Sequence, residues 1–337
     1  MSNTNDTESG TPLLFARVLD GDGGGRAIDW AEIQQWQPGP DGPNADGKVL
    51  WMHLCRNEPG VYEWLQNHVG IPEPTAELLT SDETRPRAFR EGNALVATLR
   101  GINFNPGAEP EDMISMQVWS DGTRLITLRR HPLQTPRQIL AQIDRGAGPT
   151  DAGAIVTQLT EAMVARMNAS IVDMNDHIDA LEAQDMDDDP DDMLEKIATI
   201  RRNCLGLQRH MGPQHVALEA ISREAPPWFE EHDRREIAET IDRLRRYLDD
   251  IDVSKESAVV LMDELRTRAL SSNERATYML TIVAGIFLPL GFLTGLLGIN
   301  VGGMPGVNDG SAFWWVAAVC LAIIVVLLLI FKRLKWL

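Results

Sequence analysis

Short hydrophobic segments separated by turn residues occupy the first part of the chain. The segments "LLFARVL" and "VLWMHL" are bounded by Gly, Pro and Asp clusters, a pattern that predicts strands. "NALVATLRGI", "MISMQVW" and "TRLITLR" follow, and the "SDG" between the last two is typical of a hairpin. "EPGVYEWLQNHV" and "TPRQILAQI" have helical spacing instead. Residues 1–150 are therefore predicted to form a domain that mixes α and β structure.

Apolar positions recur with a helical period from residue 151 onward. One helix is predicted over residues 152–184, where the acidic run "DMDDDPDD" ends it. A second helical region covers residues 193–223, and Gly212 and Pro213 are expected to kink or divide it. A third helix starts near Arg235 and meets no Pro or Gly before Gly285. Counted to residue 299 it would be about 98 Å long, which predicts a stalk rather than a globular helix.

Two runs near the C-terminus lack any charged residue, namely residues 280–297 and 313–331. At ~1.5 Å per residue each is about 27–29 Å long, close to the ~30 Å of a bilayer's hydrocarbon core. The alternative is a pair of buried core helices, but helices of soluble proteins rarely lack charge on every face. The runs therefore predict two transmembrane helices.

Charge placement predicts the orientation of these spans. The N-terminus "MSNTNDTESG" does not have the pattern of a signal peptide, so the soluble part is expected in the cytosol. Basic residues precede the first span and follow the second, whereas residues 301–311 contain Asp309 but neither Lys nor Arg. By the positive-inside rule, both termini face the cytoplasm of a bacterial-type inner membrane and this loop faces outward.

The predicted parts are a cytosolic α/β domain (1–150), a helical region (151–234), a stalk (235–279), a first span (280–300), an outer loop (301–312), a second span (313–331) and a basic tail (332–337).

The net charge of −18 makes nucleic acid an improbable partner, because a nucleic-acid binder needs a basic surface. A cation is a natural partner, since acidic groups raise the local cation concentration, although simple solubility explains most carboxylates equally well. The sequence contains no HExxH motif, no phosphate-binding loop and no defensible catalytic triad. The chain is therefore expected not to be an enzyme and to bind no cofactor.

One face of the first span consists of small or weakly polar residues. Around a symmetry axis, each residue of such a helix becomes a ring, and ion filters are often rings of oxygen donors. The face could line a narrow aqueous pore, or it could pack closely against another helix through the GxxxG motif of Gly291 and Gly295. The spacing alone leaves both interpretations open. The stripe comprises Thr277, Thr281, Ala284, Leu288, Gly291, Gly295 and Gly298.

Asn300 follows this face and ends the span. On an ideal helix it lies about 140° from Gly295, so the last turn must loosen if the amide is to face an axis. The glycines at 298, 302 and 303 permit this change. An asparagine C-cap is the structural alternative, and the two roles are compatible. Since the ring would carry no full charge, a divalent ion is expected to meet it hydrated.

The motif "GIN", the short loop, the second span and the tail "KRLKWL" resemble the CorA family of metal-ion transporters. That family's signature is Gly-Met-Asn, and Ile299 occupies the middle position here. The run "FLPLGFLTGLLGINVGGMPG", with "ETRPR", "LRGIN", "EDMISMQVW" and "LITLRR", is more similar to the ZntB zinc-transporter branch. These blocks extend over almost the whole chain in family order.

The resemblance implies a CorA-like homopentameric funnel in contact with membrane lipid, with a pore formed by the first span. It implies a selectivity filter of Gly298, Ile299 and Asn300, zinc as the transported ion, other divalent ions as possible substrates, and a link to the proton gradient. In the magnesium branch an acidic residue follows the signature closely. Asp309 comes well after Asn300, so it is assigned only general attraction of cations to the outer loop.

Two alternatives and one minor site complete the predictions. A magnesium or cobalt channel of the same family is the nearest alternative, and a membrane-anchored scaffold or metal sensor is an alternative of another class. Asp173 and His177 lie one helical turn apart and form a possible regulatory metal pair, although two ligands are too few for a tight site. Neither apolar run contains Asp, Glu, His, Lys or Arg, so any proton coupling is expected to depend on groups outside them or on water.

Overall fold

The computed structural model describes residues 11–36, 48–108, 112–183, 190–298 and 310–334. The chain divides into two compact units, Met1–Met262 and Asp263–Leu337, and the boundary falls within a single long helix.

The first unit contains a seven-stranded sheet with the strand order β2-β1-β3-β7-β6-β5-β4. β3 and β7 are parallel, and every other neighbouring pair is antiparallel. The strands are β1 (Leu13–Leu19), β2 (Gly25–Ala27), β3 (Leu50–Cys55), β4 (Arg87–Glu91), β5 (Ala94–Gly101), β6 (Ile114–Ser120) and β7 (Arg124–Arg129). β3, β5, β6 and β7 are buried along almost their whole length, which agrees with their nearly continuous apolar sequences.

Short helices on one side of the sheet enclose a hydrophobic core that includes Leu54, Trp64 and Ile126. They are α1 (Trp30–Gln35), α2 (Val61–Trp64), which continues as a single π-helical turn (Leu65–Val69), and α3 (Glu73–Thr80). Asp29 caps α1 through a capping box with Glu32. These elements bury the apolar face of the sheet.

Three buried side chains of the sheet, Trp51, His53 and Thr127, are bonded to one another. The indole of Trp51 donates to Thr127 Oγ1 (3.1 Å), and His53 Nδ1 lies 2.8 Å from the same oxygen. Burial, reinforced by the charge of Arg129, lowers the pKa of His53 to about 3. His53 is therefore neutral at pH 7 and contributes to packing inside the sheet.

The remaining helices of this unit are α4 (Gln134–Ile143), α5 (Ala152–Ala183) and α6 (Pro190–Arg223). The expected division of the second helical region at Gly212 and Pro213 is wrong, because α6 continues through Pro213. Proline removes one hydrogen bond from a helix, but the residues around it are anchored. Met211, Gln214 and Leu218 are all almost fully buried, so tertiary packing outweighs the local cost.

α7 extends over Glu231–Leu297, 67 residues, and begins four residues before the predicted start near Arg235. Asp233 lies in the first turn of α7, and its carboxylate accepts a hydrogen bond from the backbone N–H of Glu230 (2.8 Å), which ties the residue before the helix to that turn. In the second unit, α7 is followed by α8 (Ala312–Arg333). The apolar parts of α7 and α8 are long enough to cross a membrane.

Candidate functional site

The small-residue stripe lies on one face of α7, because the helix is unbroken as far as Leu297. At about 100° per residue, every member of the stripe falls within about 60° of Ala284. The members are those predicted from the sequence: Thr277, Thr281, Ala284, Leu288, Gly291, Gly295 and, one residue beyond the helix, Gly298. The predicted common face therefore exists, whereas its role as a pore lining stays a prediction.

Most of the stripe is exposed in the single chain. Leu288 is 72% exposed, and a Cβ placed on Gly291 or Gly295 would meet no described atom within 4 Å. α8 approaches α7 elsewhere, since the ring of Phe331 lies 3.2 Å from the position of a Cβ on Gly285. Gly285 is rotated about 100° from Ala284. The second span thus leaves the stripe open to another molecule, to lipid or to water.

The threonine hydroxyls of this segment donate to their own helix. Thr281 Oγ1 donates to the carbonyl of Thr277 (2.8 Å), and Thr294 Oγ1 donates to the carbonyl of Leu290 (2.9 Å). Each hydroxyl keeps acceptor capacity after donating its proton. The face can therefore offer neutral oxygens to a hydrated cation, and it contains no group that would bind a bare ion tightly.

Of the three residues of the predicted filter, the structure describes Gly298. Its N–H donates to the carbonyl oxygens of Thr294 (2.9 Å) and Gly295 (3.2 Å), which closes the last turn of the helix. Ile299, Asn300 and Asp309 lie outside the described residues. The amide ring and the role of Asp309 accordingly stay predictions from the sequence.

The pair Asp173 and His177 adjoins a cavity of about 450 Å³ between α5 and α6. His177 Nδ1 is 2.6 Å from the backbone oxygen of Asp173 and 3.6 Å from its carboxylate. Asp192 and Glu195 of α6 line the same cavity, but Asp192 forms an ion pair with Lys196 (2.7 Å). Among the described residues, no group of three or more His, Cys, Asp or Glu is placed to hold a metal ion. The pair therefore lacks the ligands of a tight site.

Sequence reasoning missed Asp192 and Glu195 as neighbours of this pair. They belong to the helix that follows the acidic run, and their proximity depends on how α6 packs on α5. Periodicity within one helix carries no signal for such a pairing.

An α+β unit, a 67-residue helix with an apolar, small-residue end, and a second apolar helix define a protein with two candidate membrane spans. The chain belongs to the CorA-like family: residues 46–333 match the family described as CorA-like Mg²⁺ transporter protein. This membership confirms the resemblance drawn from the "GIN" motif and places the chain among transport proteins rather than enzymes.

Two curated relatives extend over nearly the whole chain. The divalent cation transporter CmaX of Pseudomonas aeruginosa is 35% identical over 327 residues, 96% of this chain and 97% of its own. The zinc transport protein ZntB of Yersinia enterocolitica is 31% identical over 334 residues, 96% of each chain. A solved structure of full-length CmaX superposes with a TM-score of 0.84 at 33% identity, and the match covers 98% of this chain and 100% of that one. The predicted α+β unit with long helices and two C-terminal apolar helices is thereby confirmed.

Proposed function

We propose that this chain transports divalent metal ions, with zinc as the main substrate, across the inner membrane through a homopentameric pore lined by α7. The observation that carries the proposal is the exposed stripe of small and weakly polar residues, which α8 leaves uncovered. A monomeric membrane anchor needs no such face, because small residues on a membrane helix serve the close approach of another helix. Several copies of α7 around an axis would turn the stripe into the wall of a passage.

The chemistry of the stripe suits an ion that keeps its water. Glycine, alanine and threonine positions leave room, and the stripe from Thr277 to Gly298 contains no carboxylate. At the outer end, five Asn300 amides would form the narrowest ring of oxygens, with Gly298 and Ile299 shaping the turn. The ion would pass this ring hydrated, drawn by the negative end of the helix dipoles and by Asp309 in the loop.

The choice of zinc rests on the relative named as a zinc transport protein. The orientation, with both termini in the cytoplasm, rests on the positive-inside rule. The second candidate is a magnesium or cobalt channel, favoured by the description of the matching family. Uptake of labelled zinc with competing magnesium or cobalt separates the two. A pore that passes magnesium freely and ignores zinc would exclude the zinc assignment.

Any coupling to the proton gradient would depend on groups outside the two spans, since residues 280–297 and 313–331 contain no Asp, Glu, His, Lys or Arg. Neutralising titratable groups of the N-terminal unit should then alter the dependence of transport on pH. A set of such variants that keeps the full pH response would remove this part of the proposal.

The direct test is metal flux into vesicles that contain the purified protein. Asn300→Ala removes the amide oxygens of the proposed filter and should change both the rate and the selectivity. Asn308→Ala makes the same chemical change in the loop and should change neither. Unaltered flux and selectivity in Asn300→Ala would refute the filter, and absence of flux in the unmodified protein would favour a scaffold or sensor.

A further inference from the structure

Five arginines of the first unit line cavities of about 220, 400 and 360 Å³, and Arg100 lines all three. Arg56 follows β3, Arg100 lies near the end of β5, and Arg130 follows β7. These three strands run in the same direction, so their ends meet at one edge of the sheet. We call this cluster the basic pocket; its arginines are Arg56, Arg85, Arg100, Arg130 and, from α6, Arg209.

The net charge of the basic pocket is positive in a chain whose net charge is −18. The carboxylates that line it are Asp82 and Asp112, against five arginines. Asp82 bridges Arg56 (3.3 Å) and Arg130 (2.9 Å), so one carboxylate serves two guanidinium groups. Its side chain is 81% exposed, and water therefore weakens the charge that it offers.

Arg56 is held in place with part of its hydrogen-bonding capacity unused. Its side chain is 3% exposed, and its Nη1 donates to the backbone oxygens of Thr80 (3.2 Å) and Ser81. Its buried Nε has no acceptor among the described residues. A buried donor without an acceptor is costly, so the surrounding structure holds this guanidinium in place against that cost.

Arg100 is held by neutral oxygens. Its Nε donates to the carbonyl of Thr84 (3.0 Å), and its terminal nitrogens donate to Thr84 Oγ1 and the carbonyl of Met113. Burial and the charge of Arg209 lower the pKa of Arg100, yet an arginine remains charged near pH 7. Burial and the charges of Arg100 and Arg209 also lower the pKa of His210 to about 4. The acceptors that hold Arg100 are uncharged oxygens, so its positive charge is not neutralised by them.

We propose that the basic pocket binds a small oxyanion, a phosphate group either free or carried by a small molecule. Guanidinium groups match the oxygens of phosphate with paired N–H donors, and several of them converge here on cavities large enough for such a group. The bound anion would offset the charge of Arg100 and of the arginines that share its cavity. This site lies within the first unit.

The test is calorimetric titration of the purified full-length protein in detergent with sodium phosphate, at an ionic strength kept constant with sodium chloride. Arg209→Gln removes an exposed member of the pocket and should weaken phosphate binding by about tenfold or more, the usual scale for a charged hydrogen bond. Arg201→Gln makes the same change at an exposed site on the same helix, outside the pocket lining, and should leave the affinity unchanged.

Arg130→Gln provides a second loss-of-charge variant from the other side of the pocket, and thermal unfolding of each variant checks that it is folded. Parallel titrations with ribose 5-phosphate distinguish the two sources of the group: tighter binding than phosphate indicates an ester, and weaker binding indicates the free ion. Binding of neither compound above the level of chloride, or equal phosphate affinity in the unmodified protein, Arg130→Gln and Arg209→Gln, would overturn the proposal.

Discussion

The side-chain amide of Gln214 forms two hydrogen bonds with the backbone of Arg100. The N–H of Arg100 donates to Gln214 Oε1 (2.6 Å), and Gln214 Nε2 donates to the carbonyl of Arg100 (2.9 Å). β4 begins at Arg87, which pairs with Thr98 of β5, so Gln214 bonds to the backbone of β5 two residues beyond the last pair of these strands. A helix residue thus extends the sheet at its edge, and this attachment fixes α6 beside the basic pocket.

Gln214→Leu should destabilise the protein by about 2–5 kcal/mol, because it leaves a buried donor and a buried acceptor unpaired. Gln214 is 1% exposed, so water cannot easily replace the lost bonds. The denaturant midpoint of the full chain, followed by circular dichroism, measures the loss. Gln138→Leu is the control, since Gln138 is exposed and bonds to Arg166 at the surface. Equal midpoints for the two variants would show that the Gln214 bonds contribute little.

Gly122→Ala should destabilise the turn between β6 and β7 for two reasons. Gly122 has φ +93, and a Cβ there would lie 2.6 Å from Cγ of Trp228. Trp228 is fixed by a hydrogen bond from its indole to the carbonyl of Asn93 (2.8 Å). Strain of this kind costs about 1–3 kcal/mol, and displacement of the indole adds to it.

Gly92→Ala separates these two contributions, because Gly92 has φ +61 and open space around its Cβ position. We expect Gly122→Ala to lower the unfolding midpoint more than Gly92→Ala and to shift the tryptophan emission. Equal losses, with unchanged emission, would mean that the backbone conformation alone matters.

The hydrophobic pattern predicted the central strands because burial on both faces requires long apolar sequences. β2 and β4 were missed: they lie at the two ends of the sheet, and "RAFRE" in β4 has the charged composition of a protected edge strand. α1 and α3 were missed because helices of six and eight residues contain too few turns to establish a period.

The face of α7 could be predicted from spacing alone, since an unbroken helix converts sequence intervals into angles. The basic pocket could not, because Arg56, Arg100 and Arg209 are far apart in sequence and meet only through strand order and helix packing. The hydrogen bonds between Gln214 and Arg100 could not be predicted either, because these residues are 114 positions apart in sequence. Asn300 stays a prediction, as it lies outside the described residues.

Asp233 should make stability depend on pH between about 4 and 6. Its side chain is 0% exposed, and burial raises its pKa from 3.8 to about 6, although the N–H of Glu230 partly opposes this rise. Because the folded-state pKa is the higher one, the stabilising contribution is complete below pH 3.8 and is lost as the pH rises towards 6.

Asp233→Asn keeps an oxygen that can accept from Glu230 but removes the charge. The variant should match the unmodified protein near pH 4 and exceed its stability by about 1–3 kcal/mol at pH 7. Denaturant midpoints at both pH values measure this difference. Asp242→Asn, at an exposed position of the same helix, should show no such gain. A gain at pH 4 as large as that at pH 7 would rule out titration of Asp233 as the cause.

Gly291→Leu should reduce metal flux strongly while leaving the helix intact. If α7 lines a pore, each copy would place a leucine side chain in the passage at the same level, where the glycine now leaves open space. Val283→Leu adds bulk about 100° away from Ala284, off the stripe, and should preserve the flux. Vesicle uptake measures transport, and the mass of the purified particle measures assembly.

A Gly291→Leu particle of unchanged mass with normal flux would show that the stripe does not line the passage. A particle that falls apart would instead support the packing role of the GxxxG motif, because leucine prevents the close helix approach that glycine allows.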